Sequence, residues 1–98
     1  MQGDTCLYCK KPILEKQFAA EFVTRDGFVR KFDDVACMLQ HAKKLKRENI
    51  TAFFVADYDS NKWMKAEEAA FARSDRFKTP NDGGILTFSN KARAQSLA

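Results

Sequence analysis

Residues 18–45 read FAAEFVTRDGFVRKFDDVACMLQHAKKL, and this stretch decides the fold. Apolar and polar side chains alternate over Phe18–Thr24 and again over Phe28–Phe32, which is the period of half-buried strands. The segment Arg25-Asp26-Gly27 between them contains the Asp-Gly pair that is typical of a tight hairpin turn. The sequence therefore predicts a β-hairpin over residues 18–32.

The second half of the stretch predicts a long helix directly after the hairpin. Asp33 and Asp34 both have carboxylates that can accept hydrogen bonds from the free amides of a helix N-terminus. One apolar stripe follows at helical spacing, formed by Val35, Met38, Leu39, Ala42 and Leu45. The last turns are basic, which suits the negative end of the helix dipole, and contain Lys43, Lys44, Lys46 and Arg47 before a Glu48-Asn49 end.

The remaining chain predicts further strands and shorter helices. Residues 50–58 are rich in β-branched and aromatic side chains, so we expect a central strand that is buried on both faces. The later elements are expected to be a strand at Lys62–Met64, a helix at Ala66–Arg73, a loop at Thr79–Gly84, a strand at Ile85–Phe88 and a helix at Asn90–Leu97 capped by Ser89. This order predicts one α+β domain over residues 1–98, a small ββαβ-type domain with a mainly antiparallel sheet, one long helix and short C-terminal helices.

The composition is that of an ordinary globular domain. The chain has 98 residues, of which 45% are hydrophobic and 31% charged, with a net charge of +4. The dense basic run at Lys43–Arg47 has no interleaved aromatic residue for base stacking, so we interpret it as a solvated helix face and expect no nucleic-acid partner. No apolar stretch approaches the roughly 18 residues of a membrane-spanning helix, and residues 1–4 show no hydrophobic leader.

The three cysteines and the single histidine have the spacing of a metal site. Cys6 and Cys9 form a CxxC motif, and Cys37 and His41 form a CxxxH motif after a long spacer. A CxxC on a tight turn directs both sulfurs toward one point, and residues four apart share one face of a helix. Three thiolates and one imidazole would hold a borderline or soft ion tetrahedrally. The sequence therefore predicts Cys6, Cys9, Cys37 and His41 as metal ligands, and because nothing in it organises a nucleophile, no enzyme activity is expected.

Each of these residues also has a simpler interpretation. Cys6 and Cys9 could form a redox-active dithiol or a local disulfide, although no βαβ pattern surrounds them as in thioredoxin-like sites. Cys37 could be a small buried hydrophobic residue, and His41 a surface residue. The joint spacing favours the metal site over these alternatives, which stay open at this point.

A series of short motifs, in order along the chain, resembles the NosL family, the accessory lipoproteins of nitrous oxide reductase. The family usually has Cys-Pro-x-Cys-Gly-Met where this chain has Cys6-Leu7-Tyr8-Cys9 followed by Lys10-Lys11. The other matching segments are Phe32-Asp33-Asp34 leading to Cys37, Val55-Ala56-Asp57-Tyr58, Trp63, Ala66 to Ala70, Thr79-Pro80, Gly84-Ile85, and Ala92 with Ala94. The resemblance therefore covers nearly the whole chain.

This resemblance implies an extracytoplasmic, membrane-anchored lipoprotein of the cell envelope, held by a lipid anchor outside these residues. It implies a metallochaperone that carries Cu(I) to a partner copper enzyme or metal transporter, and a fold built from ββαβ units. Two methionines of the family pattern are absent, since Lys10-Lys11 replaces Gly-Met and Asn81 stands where the family has Met. Without their thioethers, three cysteines and a histidine look more like a zinc set than a copper set, so the expected metal is Cu(I), from the resemblance, or zinc, from the donors. The alternative function is a zinc-stapled structural or interaction domain of such a lipoprotein, without a carrier role.

Overall fold

The main sheet has four antiparallel strands in the order β2-β1-β3-β4. The computed structural model describes residues 5–45, 49–74, 76–80 and 83–97, excepting the side chain of Leu97. A 3-10 turn at Lys16–Phe18 leads into the sheet, whose strands are β1 (Ala20–Thr24), β2 (Val29–Phe32), β3 (Ile50–Ala56) and β4 (Trp63–Lys65). The other elements are α1 (Val35–Ala42), a 3-10 turn at Ala66–Glu68, the strands β5 (Ala70–Arg73) and β6 (Ile85–Phe88), which form a second sheet, and α2 (Lys91–Leu97). The predicted α+β class with antiparallel sheets is confirmed.

The hairpin of β1 and β2 is present as predicted. Its turn depends on Gly27, whose φ of +90° is a conformation that side chains with a Cβ rarely adopt. Phe22 on β1 and Phe32 on β2 are both fully buried, and their ring centroids are 5.4 Å apart. Phe53 on β3 packs edge-on against Phe22 at 5.9 Å, so the hairpin and the central strand share one aromatic core.

The third strand is central, as predicted, but it is less buried than expected. β3 lies between β1 and β4, yet Thr51 is exposed and Phe53 and Phe54 are only half-buried. A domain of this size has too few elements to cover both faces of its sheet.

Helix α1 is shorter than the predicted stripe. It ends at Ala42, and Leu39 and Leu45 are 45% and 36% exposed, so neither belongs to the core. The buried face is instead formed by Val35, Cys37 and Met38. Lys46, Arg47 and Glu48 of the predicted helix end lie outside the described residues.

The predicted helix at Ala66–Arg73 is wrong. Residues 66–68 form a single 3-10 turn, and Ala70–Arg73 pairs antiparallel with Ile85–Phe88 as the strand β5. Ala72 is buried with Phe88, whereas its neighbours on β5 alternate outward, so burial against β6 overrides the helical preference of an Ala- and Glu-rich segment.

The terminal helix α2 is capped one residue later than predicted. The Oδ1 atom of Asn90 accepts hydrogen bonds from the amides of Ala92 and Arg93 at 2.9 and 3.3 Å, whereas Ser89 donates its own amide to Asp57. None of the helices in the described ranges is both long and apolar enough to cross a lipid bilayer.

Asp57 joins the two sheets at the end of β3. One carboxylate oxygen accepts the amide of Ser89 at 3.0 Å, and the other accepts the hydroxyl of Ser60 at 2.6 Å. Thr87 on β6 adds a hydrogen bond from its hydroxyl to the carbonyl of Ala56 at 2.5 Å. Burial alone would raise the pKa of Asp57, but the hydrogen bonds from Ser60 and Ser89 outweigh burial and lower the pKa.

Replacing Asp57→Asn should lower the free energy of unfolding at pH 7 by about 1–3 kcal/mol, the usual effect of losing hydrogen bonds to a charged group. Because the pKa of Asp57 is lower in the folded chain, its stabilising contribution is present above the unfolded value of about 4 and is lost as the pH falls through the folded value. Urea unfolding of both proteins at pH 7, 5 and 3 should show that the difference in their free energies of unfolding becomes smaller toward pH 3. Asp59→Asn, at an exposed ion pair with Arg93, is the control and should change little. A difference in the free energy of unfolding that grows toward pH 3 would contradict the stabilising role of the ionised Asp57 carboxylate.

Candidate metal centre

A closed N-terminal turn holds Cys6 and Cys9 near each other. Thr5 pairs with Pro12 in an isolated antiparallel bridge, and the amide of Cys6 donates to the carbonyl of Lys11 across the turn at 2.8 Å. The amide of Cys9 points at the sulfur of Cys6, with an N···Sγ distance of 3.5 Å. Lys10 has a φ of +69°, and this left-handed residue lets the chain reverse directly after Cys9.

The turn is fixed to the edge of the main sheet. The amide of Leu7 donates to the carbonyl of Lys31 on the edge strand β2 at 2.9 Å. Cys6 is fully buried, and Ile13, just after the turn, is 1% exposed within the same core. Backbone pairing and apolar burial together therefore bring the CxxC motif against the hairpin.

The two adjacent aspartates before α1 have different partners. Asp34 is the N-cap residue and accepts the amide of Cys37 at 3.0 Å, while its other oxygen accepts the hydroxyl of Thr79 at 3.0 Å. Gly83 lies so close to this helix start that a Cβ on it would be 2.4 Å from the Cβ of Ala36. Because Asp34 caps the helix and binds the loop that contains Thr79, Asp33 is left to face the cysteines.

Three thiols and one carboxylate converge at the start of α1. The ligand atoms of Cys6, Cys9, Cys37 and Asp33 all lie within 4.8 Å of one another. The thiols of Cys9 and Cys37 each donate to a different oxygen of Asp33, both with distances of 3.4 Å. Cys6 and Cys37 are fully buried and Asp33 is 2% exposed, whereas Cys9 is half-buried. The cluster is thus enclosed on three sides and open beside Cys9.

The surroundings keep the thiols of Cys9 and Cys37 protonated when no cation is bound. Burial raises the pKa of the Cys37 thiol far above its ordinary value, and the nearby groups of Cys6, Asp34 and Asp33 raise it further. Burial also raises the pKa of Cys9, with smaller contributions from Cys6 and Asp33. A bound soft cation would lower the pKa of these thiols, because it converts thiols into thiolates and offsets the charge of Asp33. The donor set therefore fits a thiophilic metal ion.

His41 is not among the clustered ligand atoms. Its ring packs at 5.5 Å from the ring of Phe32 and at 6.0 Å from that of Phe22, over the aromatic core of the hairpin. A helix rises about 6 Å over four residues, so His41 lies one turn beyond Cys37 while the CxxC turn docks at the helix start. The structure therefore brings together three of the four predicted ligands, and it positions the fourth against aromatic rings.

Asp33 is the candidate ligand that the sequence interpretation missed. It was considered there only as a helix cap, the role that Asp34 fulfils. The signal was nevertheless available, because Asp33 precedes Cys37 by four residues, the same spacing by which His41 follows it. Asp33 lies four residues before Cys37 and His41 lies four residues after it. Only Asp33 is on the side of the docked CxxC turn, so only Asp33 lies beside the thiols.

Comparison with known proteins gives the family. The sequence model of the NosL family matches residues 1–98. Among solved structures, the copper chaperone NosL from Shewanella denitrificans has the same fold, with a TM-score of 0.86 and 17% sequence identity over 98% of this chain and 80% of that chain. None of the curated proteins matches the sequence significantly. Because the family model spans the whole chain, the protein belongs to the NosL family.

Proposed function

We propose that this protein is a carrier that binds one Cu(I) ion as cargo and passes it to a partner protein, a copper enzyme or a metal transporter. The observation that carries the proposal is the convergence of Cys6, Cys9 and Cys37 with Asp33 within 4.8 Å. In this proposal the three sulfurs bind the ion, Asp33 accepts hydrogen bonds or donates an oxygen, and His41 has no ligand role. The protein works outside the cytoplasm and is held there by a lipid anchor, as the family resemblance implies.

The chemistry of the donors favours copper. Cu(I) is a soft ion that prefers thiolates, and three sulfurs meet its needs without the missing thioethers of the family pattern. The related structure of a copper chaperone supports the same choice. One observation favours zinc as a second candidate, since three thiolates and a carboxylate oxygen form a tetrahedral set of the kind that zinc accepts.

The distribution of apolar residues favours a carrier over a structural zinc site. The main core is formed around Phe22, Phe32 and Val55, and a second core around Leu86 and Phe88. The main core also contains the proposed ligands Cys6 and Cys37, but most of its members are apolar side chains outside the thiol cluster. A domain with two apolar cores can retain its fold when the ion leaves, which a carrier requires and a metal-stapled domain does not.

The open side of the cluster provides a route for ligand exchange. Cys6 and Cys37 are fully buried, so an incoming thiolate or imidazole can approach the ion only beside the half-buried Cys9. In the exchange, the partner's donor bonds to Cu(I) as the bond to Cys9 breaks, and the two buried sulfurs are released afterwards. No oxidation or reduction takes place.

Loss of an outer partner of a metal site typically weakens metal affinity by about 10–100-fold, and Asp33→Asn should weaken Cu(I) affinity by this amount. Cys37→Ser removes a direct ligand, so it should weaken Cu(I) affinity by more than about 100-fold. His41→Asn, on the same helix, is the matched control and should change the affinity by less than about threefold. The measurement is competition of the reduced proteins with a chromophoric Cu(I) chelator. Cys9→Ser, at the half-buried position, gives a second ligand variant if Cys37→Ser does not fold. A loss at His41 as large as at Cys37 would contradict the proposed ligand set.

Cu(I) binding should release protons at neutral pH, because the thiols of Cys9 and Cys37 have raised pKa values and are protonated before the ion binds. If both protons leave, the apparent affinity rises by about 100-fold per pH unit. The release can be read with an indicator dye in unbuffered solution and compared with Cys9→Ser, which should release fewer protons. Binding without proton release would show that the ion does not reach these thiols.

The metal-free protein should melt cooperatively. Cu(I) should raise its melting temperature by mass action, because binding at a free concentration 1,000 times the dissociation constant adds about 4 kcal/mol to the free energy of unfolding. Thermal melts after treatment with a chelator, with added Cu(I) and with added Zn²⁺ distinguish the two candidate functions. Loss of the folding transition on chelation would favour the zinc-stapled domain over the carrier.

A further inference from the structure

A groove of about 690 Å³ lies beside the CxxC turn, and neither Asp33 nor Thr79 lines it. It is formed where the hairpin, the end of α1 and the CxxC turn meet, and it is lined by Leu7, Thr24, Arg25, Asp26, Arg30, His41, Leu45 and Asn49. Leu7 lies between the two cysteines of the turn, so the groove and the thiol cluster share one wall.

The charge of the groove is predominantly positive. Within the described part of the chain, the guanidinium groups of Arg25 and Arg30 form no ion pair. Burial lowers the pKa of His41, and the positive charges of Lys44, Lys10 and Arg30 lower it further, which shows that these cations surround one imidazole. Among the described residues around the groove, positive charges therefore outnumber acidic ones.

Asp26 is the one acid among the described residues of the lining, and it already interacts with Thr24 and Arg30. Asp26 accepts a hydrogen bond from the hydroxyl of Thr24, and this bond lowers the pKa of Asp26. Its single carboxylate does not balance the several cations around the groove, so an acidic ligand would meet net attraction.

We propose that this groove docks an acidic segment of the protein that exchanges Cu(I) with the cluster, an inference that rests on the proposed carrier function. Two guanidinium groups bind carboxylates bidentately, and Leu7 and Leu45 offer apolar contact to the stems of Glu side chains. A segment bound there lies next to the CxxC turn, so its neighbouring thiolates reach the open side of the cluster beside Cys9.

The shape of the site and its aromatic residues favour a protein segment over other anions. A concave groove admits an extended chain but not the flat surface of a membrane. The exposed rings nearest to it are already covered by cations of this chain, with Arg30 at 5.1 Å from the Phe28 ring and Lys44 at 5.3 Å from the Tyr8 ring. They are therefore not available as a stacking platform for nucleic-acid bases.

The test uses a synthetic Glu-rich peptide ending in Cys-Gly-Gly-Cys and its Gln-rich counterpart. The double variant Arg25→Gln/Arg30→Gln is compared with Arg73→Gln/Lys78→Gln, which removes the same charge at exposed positions outside the groove lining. The groove variant should keep the wild-type affinity for Cu(I) but transfer it to the acidic peptide about tenfold more slowly at low ionic strength. The difference should shrink at about 0.5 M salt and be absent with the Gln-rich peptide.

A metal-independent measurement separates the docking proposal from the carrier function. The same peptide with Ser in place of Cys should bind the metal-free protein, as read by fluorescence anisotropy, and the groove variant should weaken that binding about tenfold. Peptide binding by a protein that does not bind Cu(I) would overturn the carrier function and leave the groove's acidic ligand supported. Equal losses in both double variants, or binding to phosphatidylglycerol vesicles without binding to the peptide, would overturn the docking proposal.

Discussion

The capping of α1 by Asp34 is the interaction on which the thiol cluster depends. Its carboxylate binds the amide of Cys37 at one oxygen and the hydroxyl of Thr79 at the other, so one buried side chain fixes the helix start and the loop behind it. The direction of the first helical turn then determines where the sulfur of Cys37 points. The preceding residue, Asp33, is turned by the same geometry toward the CxxC motif, where it accepts both thiol hydrogen bonds. The two residues of the Asp-Asp pair have different roles, because Asp34 accepts from the Cys37 amide and Thr79 while Asp33 accepts from the thiols of Cys9 and Cys37.

Much of the fold could be predicted from local sequence, whereas the site could be predicted only in part. The hairpin and the start of α1 follow from alternation, the Asp-Gly turn and a capping residue, all of which act over a few neighbouring residues. The strand β5 was predicted as a helix because its partner β6 lies more than ten residues away and its Ala-rich composition favours a helix locally. For the same reason Asp33 was missed, since its selection as a neighbour of the thiols depends on Asp34 capping the helix and on the docking of a distant turn. Non-local contacts decided each of these cases.

The burial of the cluster suits reversible metal binding. Two fully buried sulfurs and a carboxylate exclude water, which strengthens the bonds to a bound cation, while the raised pKa values of Cys9 and Cys37 mean that protons compete with the ion. A fully exposed set of thiolates would lose the ion to any soluble thiol, and a fully enclosed set would release it too slowly. An arrangement with one half-buried cysteine lies between these limits, because in the proposed exchange the first bond to break is the one to the accessible sulfur.

The residue after the CxxC links this site to the basic groove beside it. Lys10 adopts a left-handed conformation that costs a residue with a Cβ roughly 1–2 kcal/mol and that glycine adopts freely, and glycine is what the family pattern has at this position. The strain is local to the turn, yet the cation of Lys10 contributes to the positive field around His41. A strained residue next to a candidate site is evidence for a role there when its side chain acts on the same site. Relative to the family pattern, Lys10-Lys11 thus places charge beside the turn in place of a conformationally free residue and a thioether, which supports the proposed docking of an acidic partner segment at the groove without removing either cysteine of the turn.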